Sequence, residues 1–503
     1  MRRPLAGTVA LLVVLAGCTL PSNDPEPAHE PVDTPATMAS ASPTPPPRPF
    51  TVTTTEVPAT FDPAAATTAA DAIVALNAFS RLMVVHPQVA ELKPDLARDC
   101  LYTSPTTYEC DLSEGLTFHN GHALTASDVK FSIERAYRLS VPSSSIRLFD
   151  SLNRVEVADD LTVRFHLKYA DTQFGHALAT PAASIVDEEL YDPDAVRPNE
   201  GQVVGSGPYE LVTTAPDRLV FERFTDYRGA LTGQIDEIQL EFAADSAAVE
   251  AAVAEASTDV VWRSLSASAL ERITTEMAAG GGRTESGFTR VELAGARVNR
   301  LVFRPASPFR DDPAVRGAVA AALQADRTLA SVVPPTVEGS VDAFPVGGQA
   351  EMPDLGGQRL RLTLAYTSRA PGARDRAAVL RDRLEESAGM SVQLVPDTLE
   401  ADLVLTDRPA WVNTAFGWLQ PYVDDALPGS QAKIDQLVQS ARETPDPATR
   451  NALLAEIQQQ AAVDLTLIPL SVGPENMLLG PGTTLQGQPF GPAWQLGLWS
   501  LRD

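Results

Sequence analysis

The stretch Leu116–Arg138 reads LTFHNGHALTASDVKFSIERAYR. Its pattern changes halfway. Leu116-Thr-Phe-His has the character of a strand end, and Asn120-Gly121 is a turn dipeptide. Thr125 stands three residues before Asp128, the spacing of a capping box with an acid at the positive end of a helix. Val129, Ile133, Ala136 and Tyr137 follow at one-face helical spacing. The stretch predicts a strand end, a tight turn and a capped amphipathic helix. That order of elements carries no function by itself.

Together with Gly115, the same stretch resembles the signature of bacterial extracellular solute-binding proteins of family 5, the peptide/nickel/opine class that serves ABC importers. The signature is close to G-V-x-F-H-D-G-x-P-L-T-A-x-D-V-x-F-S-x-x-R. Gly115, Phe118, His119, Gly121, Leu124, Thr125, Ala126, Asp128, Val129, Phe131, Ser132 and Arg135 match it. Further blocks resemble the family in the same order. They are Thr60-Phe-Asp-Pro63, GQVVGSGPY at 201–209, Asp226-Tyr-Arg-Gly229, Pro308–Asp326, Arg450–Gln458 and Leu467-Ile-Pro-Leu470.

The resemblance implies an α/β, two-lobed periplasmic-binding-protein-like fold of the class II type, with an extra subdomain inserted in the first lobe. On that plan lobe I takes residues 50–82, 201–296 and 471–503, the inserted subdomain takes 83–200, and lobe II takes 297–470. The residue pattern agrees on the second lobe. Leu360–Tyr366, Val392–Val395 and Ala401–Thr406 read as strands around a helix at Arg374–Glu386, a βαββ order.

The N-terminus points to export. Met1-Arg-Arg is followed by an apolar run, Val9–Leu15, far short of the roughly 20 residues a membrane span needs. Residues 1–17 therefore read as a signal peptide. Leu15-Ala-Gly-Cys18 resembles a bacterial lipobox, which implies lipid on Cys18 and a chain anchored to the membrane rather than spanning it. Residues 18–49 are rich in Pro, Ser, Thr and Ala, cannot form a core, and read as a disordered tether.

The chain has 503 residues and a net charge of −26, enough length for more than one core. No basic patch dominates, which argues against a nucleic-acid partner. Cys100 and Cys110 flank the turn Ser104-Pro105 and face each other across a predicted hairpin. With Cys18 assigned to lipid, these two can pair in an oxidising compartment, a bridge of about 2–3 kcal/mol. The alternative is metal binding with a nearby histidine, but the sequence offers no further cysteine. His119 and His122 stand three apart without an adjacent third ligand, so neither a metal nor a cofactor is expected.

In peptide-binding relatives, an aspartate in a W-x-x-D-Y stretch meets the ligand's ammonium, because a buried cation needs a partner charge. The matching stretch here is Trp418-Leu-Gln-Pro-Tyr422, with Pro421 in the aspartate's place and Asp424 and Asp425 just beyond. The aromatic and amide set Trp411, Asn413, Phe416, Trp418 and Tyr422 is suited to stacking on a ring or gripping an amide-rich ligand. Arg81, in Phe79-Ser-Arg-Leu82, stands where the family has Y-E-x-L along its ligand cleft. The candidate ligand-binding residues are therefore Arg81, Trp411, Asn413, Phe416, Trp418, Tyr422 and Asp424. For several of them core packing is the competing role.

No catalytic triad, metal cluster or phosphate loop is legible. Gly205-Ser206-Gly207 lacks both the Gly-x-Ser-x-Gly spacing of a nucleophile elbow and the third glycine of a dinucleotide loop. The expectation is a binding protein rather than an enzyme. It would be a lipid-anchored extracytoplasmic receptor, monomeric, that takes a peptide or similar small solute between its lobes and delivers it to ABC-transporter permease subunits. The alternatives are an oligosaccharide or chelate receptor, or a binding-fold protein with a signalling role.

Overall fold

The computed structural model describes residues 48–86, 91–357, 359–398, 400–407, 410–487 and 496–503. The expected signal peptide, Cys18 and nearly all of the tether lie outside the described residues. Pro49–Asp503 is one compact unit, built on a sheet of ten strands.

In chain order those strands are β1 Phe50–Thr54, β2 Tyr209–Thr214, β3 Arg218–Arg223, β4 Glu237–Phe242, β5 Val260–Trp262, β6 Thr289–Phe303, β7 Arg361–Tyr366, β8 Ser391–Pro396, β9 Leu403–Thr406 and β10 Leu467–Leu479. Their order across the sheet is β8-β7-β9-β6-β10-β5-β1-β4-β3-β2. β1 runs parallel to both β4 and β5, and β7 runs parallel to both β8 and β9. Between these two parallel groups lie the two longest strands, β6 and β10, paired antiparallel from Thr289–Leu479 to Val302–Leu467.

Among the described residues, β6 and β10 are the strands that connect the two parallel groups across the sheet. At one end β10 pairs with β5, and at the other β6 pairs with β9. Between those ends the β6–β10 register shifts, at Leu293/Arg297 and at Asn299/Arg300. A register break in a long ribbon increases twist and bends the strands locally, so the break sits where one lobe passes into the other. The apolar cores divide at the same place. The buried members of three clusters come from residues 52 to 288 and 477 to 501, joined by Val412, with the half-buried Trp411 packed against two of them. Two others draw on residues from 298 to 470.

Residues 97–167 form a separate antiparallel sheet in the order Ala97–Ser104, Thr107–Leu112, Thr162–Leu167, Leu152–Asp159. Cys100 and Cys110 are register partners in it and are disulfide-bonded. The opening stretch packs beside this sheet. Its helix spans Ala126–Leu139, with both arms of the Thr125/Asp128 capping box formed. The predicted strand end at Leu116–His119 is reduced to a single bridge, Thr117–Ala123. The turn closes too early for more: Gly121 takes φ +86° and its N–H donates to the Phe118 carbonyl.

Candidate ligand-binding site

Parallel strands in an open α/β sheet present their carboxyl ends to ligands. In lobe I, β1 runs out into Thr55 and Glu56, and β5 runs out into Arg263. In lobe II, β9 runs out into Asp407, and Arg369 lies just past the end of β7. These ends face one another. The Thr55 hydroxyl donates to the Arg369 carbonyl at 3.4 Å, and the Arg263 guanidinium lies 3.8 Å from Asp407.

The seam is strongly charged. Arg263 pairs with Glu475 of β10 at 2.6 Å and with Glu56 at 3.2 Å. Arg297 of β6 pairs with Asp407, and Arg376 lies 3.6 Å from the same carboxylate. Three guanidiniums thus face three carboxylates, with the crossing strands supplying one of each. Arg263 is held at φ +50°, a left-handed conformation that is costly for a residue with a Cβ. Its three carboxylate partners over-determine that position.

The titration of these groups follows from burial and pairing. Burial would raise the Asp407 carboxyl, but Arg263 and Arg297, with Arg376, outweigh it and hold Asp407 well below the ordinary range. Burial would lower Arg263, and Glu475, Glu56 and Asp407 together push it the other way. Glu475 is raised by burial despite Arg263 and Arg297. Arg376 is lowered, first by burial.

A second set of contacts joins the lobes outside the large sheet. The Trp411 indole N–H donates to the Ser143 carbonyl at 3.2 Å, and Val412 belongs to the apolar cluster of residues 64–204. Arg147 lies 3.4 Å from Asp424, and Asp171 pairs with Arg442 at 2.7 Å. Burial raises the Asp424 carboxyl to about 6, against the lowering effect of Gln420 and Arg147.

Of the seven residues expected at the ligand, Trp411 and Asp424 lie on this boundary. The other five are placed differently. Asn413 is exposed and accepts from the Trp418 indole N–H at 2.9 Å. Phe416 is buried beneath the Arg442 guanidinium. Trp418 is wholly buried with Arg300 over its ring, and the Tyr422 hydroxyl donates to Asp464 at 2.7 Å. Arg81 is buried in lobe I and donates to the carbonyls of Ala75 and Phe79. So the seven do not share one surface.

The reason is a helix, Ala415–Asp424, which carries Pro421 inside it. Its apolar face puts Phe416, Trp418, Leu419 and Tyr422 into the core of lobe II, while Pro421 sits on the exposed side. Sequence reasoning missed the charged seam: Glu56, Arg263, Arg297, Arg376, Asp407 and Glu475. A signal for two of them was present, since Arg263 and Asp407 each directly follow a short apolar strand.

The model of the bacterial extracellular solute-binding proteins, family 5 middle, matches residues 91–355, more than half of the chain. The chain belongs to this family. The glutathione-binding protein GsiB of Pectobacterium atrosepticum is 32% identical over 137 residues, 26% of each chain. That alignment spans about a quarter of its relative's length. Among solved structures, the dipeptide-binding protein of Pseudoalteromonas sp. SM9913 in complex with Met-Leu matches at TM-score 0.76 and 18% identity, over 91% of this chain and 100% of the other. AgaA of A. tumefaciens R10 in complex with agropinic acid matches at TM-score 0.78 and 20% identity, over 90% and 98%. These likenesses show the two-lobed fold.

Here the family 5 signature builds scaffold. Arg135, its last matched residue, forms a two-pronged buried ion pair with Asp62 of the Phe-Asp-Pro block, at 3.0 and 2.6 Å. His119 accepts from the Gly205 N–H through Nδ1, so Nε2 carries the proton and donates to the Gly207 carbonyl at 3.0 Å. Burial holds this ring neutral, with its pKa down at about 4. A Cβ at Gly205 would stand 1.9 Å from the Ala78 carbonyl, so only glycine lets this segment cross the end of the helix Ala69–Ala78. His122 instead pairs with Asp187 at 2.8 Å.

Proposed function

We propose that this chain is a receptor that closes its two lobes on a peptide or similar small solute and hands it to the permease of an ABC importer. One observation carries the reading. The carboxyl ends of the parallel strands in both lobes converge on a charge-balanced seam, and two long strands cross beside it. A cleft of that build gains its affinity when closure buries a polar solute among preformed charges. The relatives named for glutathione, Met-Leu and agropinic acid favour a small solute rich in carboxylate, amine or amide groups.

In this reading the mature chain works as a monomer on the outer face of the membrane, held by lipid on Cys18. Function rests on binding, without a chemical step or a cofactor.

Native mass spectrometry of the gently purified protein tests the ligand class. A ladder of added masses spaced by amino-acid residues is the expected result. A single non-peptide mass would reassign the solute to a sugar, opine or chelate. A bare protein mass, with no thermal shift across a peptide panel, would overturn solute capture. Cys18→Ala releasing the protein from the membrane fraction is the expected check on anchoring; retention there would remove the lipid from the proposal.

A further inference from the structure

Arg442 lies in the last turn of the helix Pro428–Glu443 of lobe II, yet its side-chain hydrogen bonds go to the other lobe. One of its nitrogens reaches Asp171 at 2.7 Å and the Leu148 carbonyl at 3.3 Å. Within its own lobe the guanidinium rests on the Phe416 ring, and its Nε is buried without a hydrogen-bond partner among the described residues. Asp171 is fixed independently of Arg442. Its carboxylate accepts from the Ser151 hydroxyl at 2.6 Å and from the Gln173 N–H at 2.9 Å, and the Tyr102 hydroxyl donates to its backbone carbonyl. Side-chain exposure is 3% for Arg442 and 0% for Asp171. Next to the pair, the Thr172 N–H donates to the Arg442 carbonyl at 3.0 Å.

We propose that Asp171 and Arg442 are a latch that holds the inserted region against lobe II before any solute is bound. None of its groups belongs to the ten-stranded sheet, so it acts apart from the crossing strands. It depends on the two-lobed fold and not on which solute enters.

The energetics suit a releasable contact. A buried ion pair returns in attraction little more than its two charges lose in hydration. Parting the lobes returns both charges to water, so the intact latch opens at modest cost. Removing one partner changes the balance. Asp171 is then stranded in the closed form but hydrated in the open one, and the penalty falls on closure alone.

Hydrogen exchange on the ligand-free full chain tests this with native protein, Arg442→Met, Arg442→Lys and Asp171→Asn. The Thr172 amide is the decisive probe, because its acceptor is the Arg442 backbone carbonyl, which every variant keeps. Exchange at Thr172 is expected to rise at least tenfold in Arg442→Met and Asp171→Asn and less in Arg442→Lys, with the paired amides of β4 and β6 unchanged. Unchanged exchange at Thr172 would overturn the latch. So would a rise spread evenly through β4 and β6, which would show that the pair holds the fold rather than the closure.

Discussion

The Asp407 carboxylate lies 3.8 Å from the Arg263 guanidinium, and each residue directly follows a strand, the two strands lying in opposite lobes. Arg297 on crossing strand β6 shares the same carboxylate. A movement that parts the lobes therefore also separates charges, and the twist of the crossing strands is tied to the charge state of the seam.

Asp407→Asn should expose this coupling. It leaves Arg263, Arg297 and Arg376 facing only Glu56 and Glu475. Breaking a buried pair in this way is expected to lower stability by about 3 kcal/mol, measured by urea unfolding at pH 7. Because the folded Asp407 is held below its ordinary range, its contribution is complete above about pH 4 and fades as the pH falls further. A variant as stable as the native protein at pH 7 would mean that the seam is neutral in energy.

Arg135→Met should be costly without touching the cleft. Arg135 and Asp62 are both almost wholly buried, and Asp62 also accepts from the Arg197 N–H at 2.7 Å. A loss of about 3–5 kcal/mol is expected. The double variant Asp62→Asn/Arg135→Met should lose less than the two single losses added together, since the pair is one unit. Simple additivity in unfolding experiments would show that the two residues act separately.

The contrast between these two pairs explains what the sequence made legible. Thr125 and Asp128 act within one turn of chain, so spacing alone revealed their capping box. Cys100 and Cys110 flank one hairpin, so their facing positions were also readable. Arg135 and Asp62 were visible as family blocks, but not as partners, because 73 residues separate them. The seam is less local still: Arg263 and Glu475 are 212 residues apart. For the aromatic set the position in the fold was not legible, for the opposite reason. Phe416, Trp418 and Tyr422 are close in sequence, but the helix Ala415–Asp424 turns them into the core. Aromatic side chains of that size serve a core as readily as a ligand.

Reduction of the Cys100–Cys110 bridge should loosen the inserted region. The cysteines are 10 residues apart, a short loop for which about 2–3 kcal/mol is expected. Cys100→Ser/Cys110→Ser should show that loss in urea unfolding, and adding a reductant to the native protein should reproduce it. An effect of reductant on the double variant would point to a different thiol.

Asp424 should give the protein a stability that rises on mild acidification. Burial, with the nearby Asp150 charge, holds its carboxyl at about 6, above the ordinary 3.8, against the lowering effect of Gln420 and Arg147. A folded-state value above the unfolded one means that the native form binds the proton more tightly. The ionised group therefore weighs against the folded state at pH 7, and that cost is relieved as the pH falls through about 6. The difference between pH 7 and pH 5 should be on the order of 1 kcal/mol. Asp424→Asn removes the titrating group but keeps an oxygen for Gln420. Its stability should change less between the two pH values than that of the native protein, and at pH 7 it should equal or exceed native. The quantity to measure is the difference between the two proteins, by urea unfolding at each pH. Parallel pH profiles would show that Asp424 titrates as an ordinary surface acid and that Arg147 already balances its charge.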